Sequence, residues 1–355
     1  MRKSFTQRNL QNKSFIPYIL GILFLIAAAI AGISAGSLSI PLVDIIHLFL
    51  NKELGLGSGK IKPMYESIIM EIRFPRVLLA GFVGASLSMA GAAFQGLLRN
   101  PLADPYTLGV SSGASLGAVA TLFFSLSIPF LGLYTLPIIS IGAAILTMFA
   151  VLFFARSVER SMKVETIILT GIIFSSFLGA FISLMIALTG QELRQIIGWL
   201  LGSVSMRGWD YVKLIAPCFV IGSVLLMANA KELNVLSYGE ERAQHLGVNV
   251  QRRKMMILAA GSILTGAAVA VSGTIGFVGL VIPHFIRLIW GPPHGRLLIL
   301  SGLFGAGFLI LADLAARIVI APSELPIGVI TSLIGAPVFA FILMRNRKGG
   351  RKRHA

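Results

Sequence analysis

Side chains able to do chemistry are few in this 355-residue chain, and their spacing argues against catalysis. No HExxH or GxGxxG motif occurs. Gly55-Leu-Gly-Ser-Gly59-Lys60-Ile61 resembles a phosphate loop, but position 54 is Leu and position 61 is Ile, where Gly and Ser or Thr are required. Cys218 is the only cysteine, so no intrachain disulfide can form, and neither a CxxCH nor a zinc-type Cys/His cluster exists. Asp313 stands in an apolar run with Arg317 four residues later, on the same helix face. A proton relay would need several acids or histidines through the bilayer. His284, in Pro283-His-Phe-Ile-Arg287, fits a helix-capping or interfacial position better than a ligand. The expectation is no catalytic residue, no metal site and no cofactor.

The segment 233–249 carries a different signal. It is short and amphipathic, and its charges Glu240, Glu241 and Arg242 lie beside the apolar Ala243 and Leu246. Gly239 in the middle and Gly247 near the end predict two short helices turning on Gly239, with Gly247 as a C-cap. Its alternatives are a solvated loop and a docking element for a partner.

The elements around these residues follow from composition. Hydrophobic residues make up 56% of the chain and charged residues 12%, against roughly 25% charged in soluble domains. A span needs about 20 apolar residues, so the chain is read as a polytopic all-α membrane protein of about ten helices. Charge-free runs place helix 1 at about 16–36, helix 2 at 77–98, and two spans in 105–155 with a turn near Pro129 and Pro137. Further spans fall at 166–191 and 214–230, with 195–206 too short to cross. Residues 255–283 hold two spans broken near Ser272-Gly273, followed by 297–316 and 327–344. Pro75 ends a polar stretch holding short amphipathic pieces.

The formal charge is +16, from 30 Lys+Arg against 14 Asp+Glu. With ten spans, the segments on one side hold 21 basic residues and those on the other 9. The positive-inside rule then puts both termini in the cytoplasm, with the basic tail 345–355 as a topology anchor near anionic lipid rather than a nucleic-acid site. Gly109, Gly113 and Gly117, four apart, predict close helix packing or the wall of a pathway.

Taken together, the motifs resemble the FecCD-type, or vitamin B12, permease family, the membrane subunits of binding-protein-dependent ABC importers. They run in order from Arg73-Phe-Pro-Arg76 and Gly91-Ala-Ala-Phe-Gln-Gly96 through Asn100-Pro-Leu-Ala-Asp-Pro105, Leu108-Gly109 and Gly198-Trp-Leu-Leu-Gly-Ser203. Gly276-Phe-Val-Gly-Leu280, Pro283-His284, Glu324-Leu-Pro-Ile-Gly328 and Gly335-Ala-Pro337 complete the set. The resemblance covers roughly 17–344. It implies one transmembrane domain with the type II importer fold and an inverted repeat, working in the cytoplasmic membrane. The implied partners are a second permease subunit, identical or homologous, two cytoplasmic ATPases and an external binding protein. The implied cargo is an iron–siderophore, with cobalamin or haem as the alternative.

The resemblance also assigns residues. Gly239, Glu240, Glu241, Arg242, Ala243, Leu246 and Gly247 belong to coupling helices that meet the ATPase, with Leu246 as apolar anchor and Glu240, Glu241 and Arg242 on the rim. Asn100, Pro101 and Leu102 contribute to the cytoplasmic gate, and a second gate segment falls at Val164-Glu165. Arg73, Arg76 and Arg317 receive acidic residues of the binding protein, in place of simple snorkelling. A secondary transporter, the reading from another class, is disfavoured by the scarcity of intramembrane acids.

Overall fold

The computed structural model describes residues 15–36, 38, 40–54, 63–160 and 162–351. The phosphate-loop-like segment 55–61 lies outside them. The described residues are helical with no strand.

Helix α1 is Ile16–Ser34 and α2 is Leu42–Leu54. A short helix α3 (Pro63–Ser67) runs through a π-helical turn (Ile68–Arg73) into α4 (Phe74–Leu97). The sequence places helix 2 at 77–98 behind a polar stretch, whereas Pro63–Leu97 is one continuous rod. Pro75 lies inside this rod without breaking it, because a π-helical turn precedes it and the Met70 carbonyl, which a proline cannot serve, accepts from the Trp209 indole.

The run 105–155 yields a 3₁₀ turn (Pro105–Leu108), a short α5 (Val110–Phe123) and α6 (Thr135–Val158). Pro137 sits in the first turn of α6 rather than in the connection. Then follow α7 (Val164–Leu188), the short α8 (Leu193–Leu200), α9 (Gly208–Ala228), α10 (Ala230–Leu236) and α11 (Glu240–His245). The final four are α12 (Val250–Ser272), α13 (Val278–Trp290), α14 (His294–Ile318) and α15 (Ile327–Arg351). The basic segment from 345 to 351 therefore continues α15. Among the described residues, seven helical stretches are long and apolar enough to cross a membrane, and α5, α13 and Ile327–Ile342 are shorter apolar helices.

Backbone contact between helices sets the core. A Cβ on Gly84 of α4 would fall 2.2 Å from the Gly305 carbonyl of α14, and one on Gly91 would fall 1.8 Å from the Gly279 carbonyl of α13. Lipid tails are as apolar as leucine, so helices associate in a bilayer through such close packing rather than through a hydrophobic drive. The Pro63–Leu97 rod, α12 and α14 are mostly buried, whereas α1, α7 and α9 show most of their surface and carry exposed Phe177, Leu184, Val220 and Val224. Gly113 and Gly117 pack on α6, where a Cβ would meet Thr147 Oγ1 at 2.2 Å and Ala143 Cβ at 2.8 Å respectively. Gly109 does a different job, capping α5 with φ +81°.

The break at Ser272-Gly273 occurs where the sequence places it, and residues 273–277 join α12 to α13. A non-helical stretch at membrane depth must have its polar groups satisfied by protein. The Ile275 N–H donates to Tyr106 Oη at 2.7 Å, the Thr274 hydroxyl donates to the Leu200 carbonyl, and Ser203 N–H donates to the Ser272 carbonyl at 2.7 Å.

Candidate functional sites at the two ends of the bundle

At one end, the π-helical turn and the first turn of α4 put Arg73 and Arg76 three residues apart, hence on one face. The Trp209 indole fixes the turn by donating to the Met70 carbonyl at 2.9 Å. The Arg73 guanidinium donates to the carbonyls of Ile33 (2.6 Å), Ser34 (2.9 Å) and Leu38, and among the described residues no carboxylate partners it. The Arg76 guanidinium grips two acids. Its Nε and Nη2 donate to Asp313 at 2.9–3.1 Å, and its Nη1 and Nη2 donate to Glu324 Oε1 and Oε2 at 2.9 and 3.0 Å. Arg317 Nε lies 3.2 Å from Asp313 Oδ2, and its Nη2 donates to the Gly32 carbonyl at 3.0 Å.

The i,i+4 pair expected in α14 therefore exists, but Asp313 is a carboxylate shared by two arginines. All three arginines are buried rather than presented as free rim charges. Buried guanidiniums need compensating partners, and backbone carbonyls together with two acids supply most of them, although Arg317 Nε makes no hydrogen bond and meets Asp313 only as an ion pair. They still line a cavity of about 250 Å³ with Gly36, Leu38 and Glu324. Three arginines against Asp313 and Glu324 leave one positive charge in surplus. Burial acts to raise the Glu324 carboxyl, but hydrogen bonds from Arg76 outweigh it and hold the group below the ordinary carboxylate value.

At the other end, the α10–α11 pair forms as the glycines require. Gly239 takes φ +116° as the N-cap of α11 and Gly247 takes φ +78°, with the Val248 N–H bonded back to the Ala243 carbonyl. That is the Schellman closure expected of a helix C-terminus. Ala243 is buried, while Glu241, Arg242 and Leu246 are exposed, Leu246 by 72% and Tyr238 by 73%. Glu240 departs from its expected place on the polar rim. Its Oε2 lies 2.6 Å from Nζ of Lys254, a residue of α12 only 1% exposed, and that ammonium also donates to the Met162 carbonyl at 2.9 Å. A lysine buried so completely demands a counter-charge, which turns the Glu240 side chain inward. Beside it, a hollow of about 620 Å³ is lined by Arg99, Lys163, Glu165, Tyr238, Glu240 and Glu241.

The Asn100–Leu102 turn closes on itself, with the Asn100 side-chain oxygen accepting from the Leu102 N–H at 2.9 Å. Leu102 is exposed and Arg99 takes φ +48°. Arg287 Nη1 donates to Gln95 Oε1 at 3.0 Å, and Gln95 Nε2 donates to the Leu280 carbonyl at 3.1 Å, tying α13 to α4. His284 is not a cap. It is buried in α13 against the Phe339 ring, because it precedes the helix end by six residues and points into the bundle.

Sequence reasoning missed Lys254, which counts there only as one charge of a polar interval, and the pairing of Glu324. It also passed over Gly113-Ala-Ser115-Leu-Gly117, which has the letters of a hydrolase nucleophile elbow. Ser115 lies within α5, buried, and not on the strand-to-helix turn which that chemistry requires.

The profile of the FecCD transport family matches residues 7–345. The chain is 63% identical over 351 residues to the uncharacterised ABC transporter permease protein YvrB of Bacillus subtilis, covering 99% of each. It is 42% identical over 276 residues to the cobalamin import system permease protein BtuC of Halobacterium salinarum, covering 78% of this chain and 73% of that one. Among solved structures it superposes on a metal-chelate-type ABC transporter in an inward-facing conformation, with TM-score 0.80 and 32% identity, covering 92% of this chain and 98% of that one.

Proposed function

The chain belongs to the FecCD transport family and is an ABC importer permease, and from that premise we propose that it carries an iron–siderophore complex across the cytoplasmic membrane, driven by ATPases that bind its Lys254 end. The observation carrying this reading is the pairing of opposite ends. One end offers an exposed helix pair, with Tyr238 and Leu246 bare, and the other offers an arginine-lined cavity. The basic excess of 21 to 9 assigns the helix-pair end to the cytoplasm.

In this reading Tyr238, Glu241, Arg242 and Leu246 meet the ATPase. Gly239, Ala243 and Gly247 set the shape of that element, and Glu240 holds it from within. The Asn100-Pro101-Leu102 turn and the Val164-Glu165 segment form the inner constriction. Carboxylates of a binding protein enter the arginine cavity at the far end. Arg73 contributes most to their attraction, because among the described residues no carboxylate partners it. The unit is completed by a second permease subunit, identical or homologous, and by two ATPases that hydrolyse the ATP.

The metal-chelate naming of the superposed transporter supports a metal chelate as cargo, and the Fe(3+) dicitrate naming of an Escherichia coli relative, 38% identical over 280 residues, supports iron. The naming of the Halobacterium relative favours cobalamin as the second reading. Radiolabelled uptake of ferric hydroxamates, ferric catecholates, haem and cobalamin in cells lacking this chain, with and without its restoration, decides between them. Restored uptake of cobalamin alone would reject the iron reading.

A further inference from the structure

Lys254 joins three elements that the backbone keeps apart. Its ammonium contacts Glu240, the first residue of α11, and the carbonyl of Met162 in the connection between α6 and α7. That connection is stitched to α7. Lys163 lies 2.6 Å from Glu159, the Thr166 hydroxyl donates to Glu159 Oε2 at 2.9 Å, and the Met162 N–H donates to the Glu159 carbonyl at 2.9 Å. Met162 takes φ +50°, unusual for a residue with a side chain, and its carbonyl faces the lysine. The neighbouring Arg253 does a narrower job. It pairs with Glu232 at 3.1 Å and donates to Asn229 Oδ1 at 3.0 Å, which holds α10 to α12.

We infer that Lys254 is a positioning residue that carries displacement of the α10–α11 helix pair into the base of α7. The inference rests on the reading that this pair docks the ATPase. A tie made only for stability would be met as well by apolar packing, since exchanging a buried ion pair for matched apolar groups is often neutral or stabilising. An ammonium does something that apolar packing does not. It couples Glu240 and the Met162 carbonyl through one atom, so that neither can shift without either carrying the other or breaking a charge-assisted bond to an ammonium only 1% exposed. The first turn of α7 is thereby linked to α11, which starts 76 residues later in the sequence.

The test uses the full permease–ATPase complex in lipid nanodiscs, with Cys218→Ser and a single reporter, Glu165→Cys, on the exposed start of α7. Labelling by a water-soluble maleimide is compared without nucleotide and with ATP and vanadate. With Lys254 present the rate should change by roughly threefold or more, the size of a modest coupling energy. With Lys254→Met, and with the double variant Lys254→Met/Glu240→Met, the ATPase should copurify in full and the nucleotide-dependent change should vanish. The double variant guards against a single variant that merely fails to fold around an unpaired Glu240. The inference is overturned if the double variant keeps the wild-type nucleotide response, if Lys254→Met releases the ATPase, or if the reporter does not respond even with Lys254 in place. Failure of the docking reading itself would show separately, as a Leu246→Asp variant that still holds the ATPase.

Discussion

The Arg76 cluster and the Lys254 cluster stand at opposite ends of the same bundle and handle charge in different ways. The first gathers Arg73, Arg76, Asp313, Arg317 and Glu324, where one buried acid serves two guanidiniums and one positive charge is left over. The second is balanced, one ammonium to one carboxylate, with a backbone carbonyl as third partner. Guanidinium forks suit the first because each can hold two acceptors in a plane, whereas a compact ammonium suits a junction of three elements. A surplus charge over a cavity attracts an acidic partner from a distance. A neutral junction leaves the exposed Tyr238 and Leu246 to make contact by burial. On the proposed reading, one end steers a partner and the other grips one.

The sharpest way to break the comparison is Asp313→Asn. It strands Arg76 and Arg317 without their shared carboxylate, and removing one member of a buried ionic group costs about 3–5 kcal/mol. Yield and melting temperature in detergent should both fall steeply, and an unchanged melt would mean that the cluster is not the staple described. Leu246→Asp should act on the other end alone, since full burial of a leucine contributes about 1.5–3 kcal/mol. ATPase retention on an affinity column should drop at least about tenfold, while the melting temperature of the isolated permease stays put.

Gly84→Ala tests whether the Arg76 cluster depends on the close approach of α4 and α14, where a Cβ would meet the Gly305 carbonyl at 2.2 Å. Overpacking of this kind costs about 1–3 kcal/mol. Gly179→Ala in α7, with open space around the added methyl, is the matched control and should melt like the parent.

The smallest effect belongs to Glu324→Gln. Its side chain is 38% exposed, so with solvent screening the loss is about 0.2–1 kcal/mol. Its carboxyl is held below the ordinary value of 4.5, so this contribution is complete above about pH 4.5 and disappears as the pH falls through the lowered value. Parent and variant melts should differ at pH 7 and converge in acid. The same substitution raises the surplus charge of the cavity, so capture of an acidic binding protein in low salt should quicken, whereas Arg73→Gln should slow it. Equal capture rates for the two variants would remove the steering role.

Much of the architecture could be read from the order of residues because a bilayer imposes length and charge rules directly. Uncharged runs mark α1, α4, α7, α9 and α14 within a few residues, because a charge in lipid is expensive wherever it falls. The Gly239 and Gly247 turns and the Ser272-Gly273 break are legible for a local reason, since positive φ selects glycine. The shortness of α5 was not legible. Residues 105–109 are as uncharged as a helix, and charge counting overlooks the local signal: the Asp104 carboxylate accepts from the Tyr106 N–H, Pro105 opens a 3₁₀ turn and Gly109 takes φ +81°, so α5 starts only at Val110.

What the sequence determined by itself was the class of molecule, the order of its helices and the glycine-framed shape of the α10–α11 pair, all of which follow from local propensity and from transfer into lipid. Tertiary structure alone decided which charges meet. Asp313 finds Arg76 across 237 positions, Arg76 finds Glu324 across 248, and Lys254 finds Met162 across 92. It also turned Glu240 inward and put His284 in the core. No periodicity records such choices, because the energy of a buried charge depends on the partners that the folded chain brings within about 3 Å, and not on its neighbours in sequence.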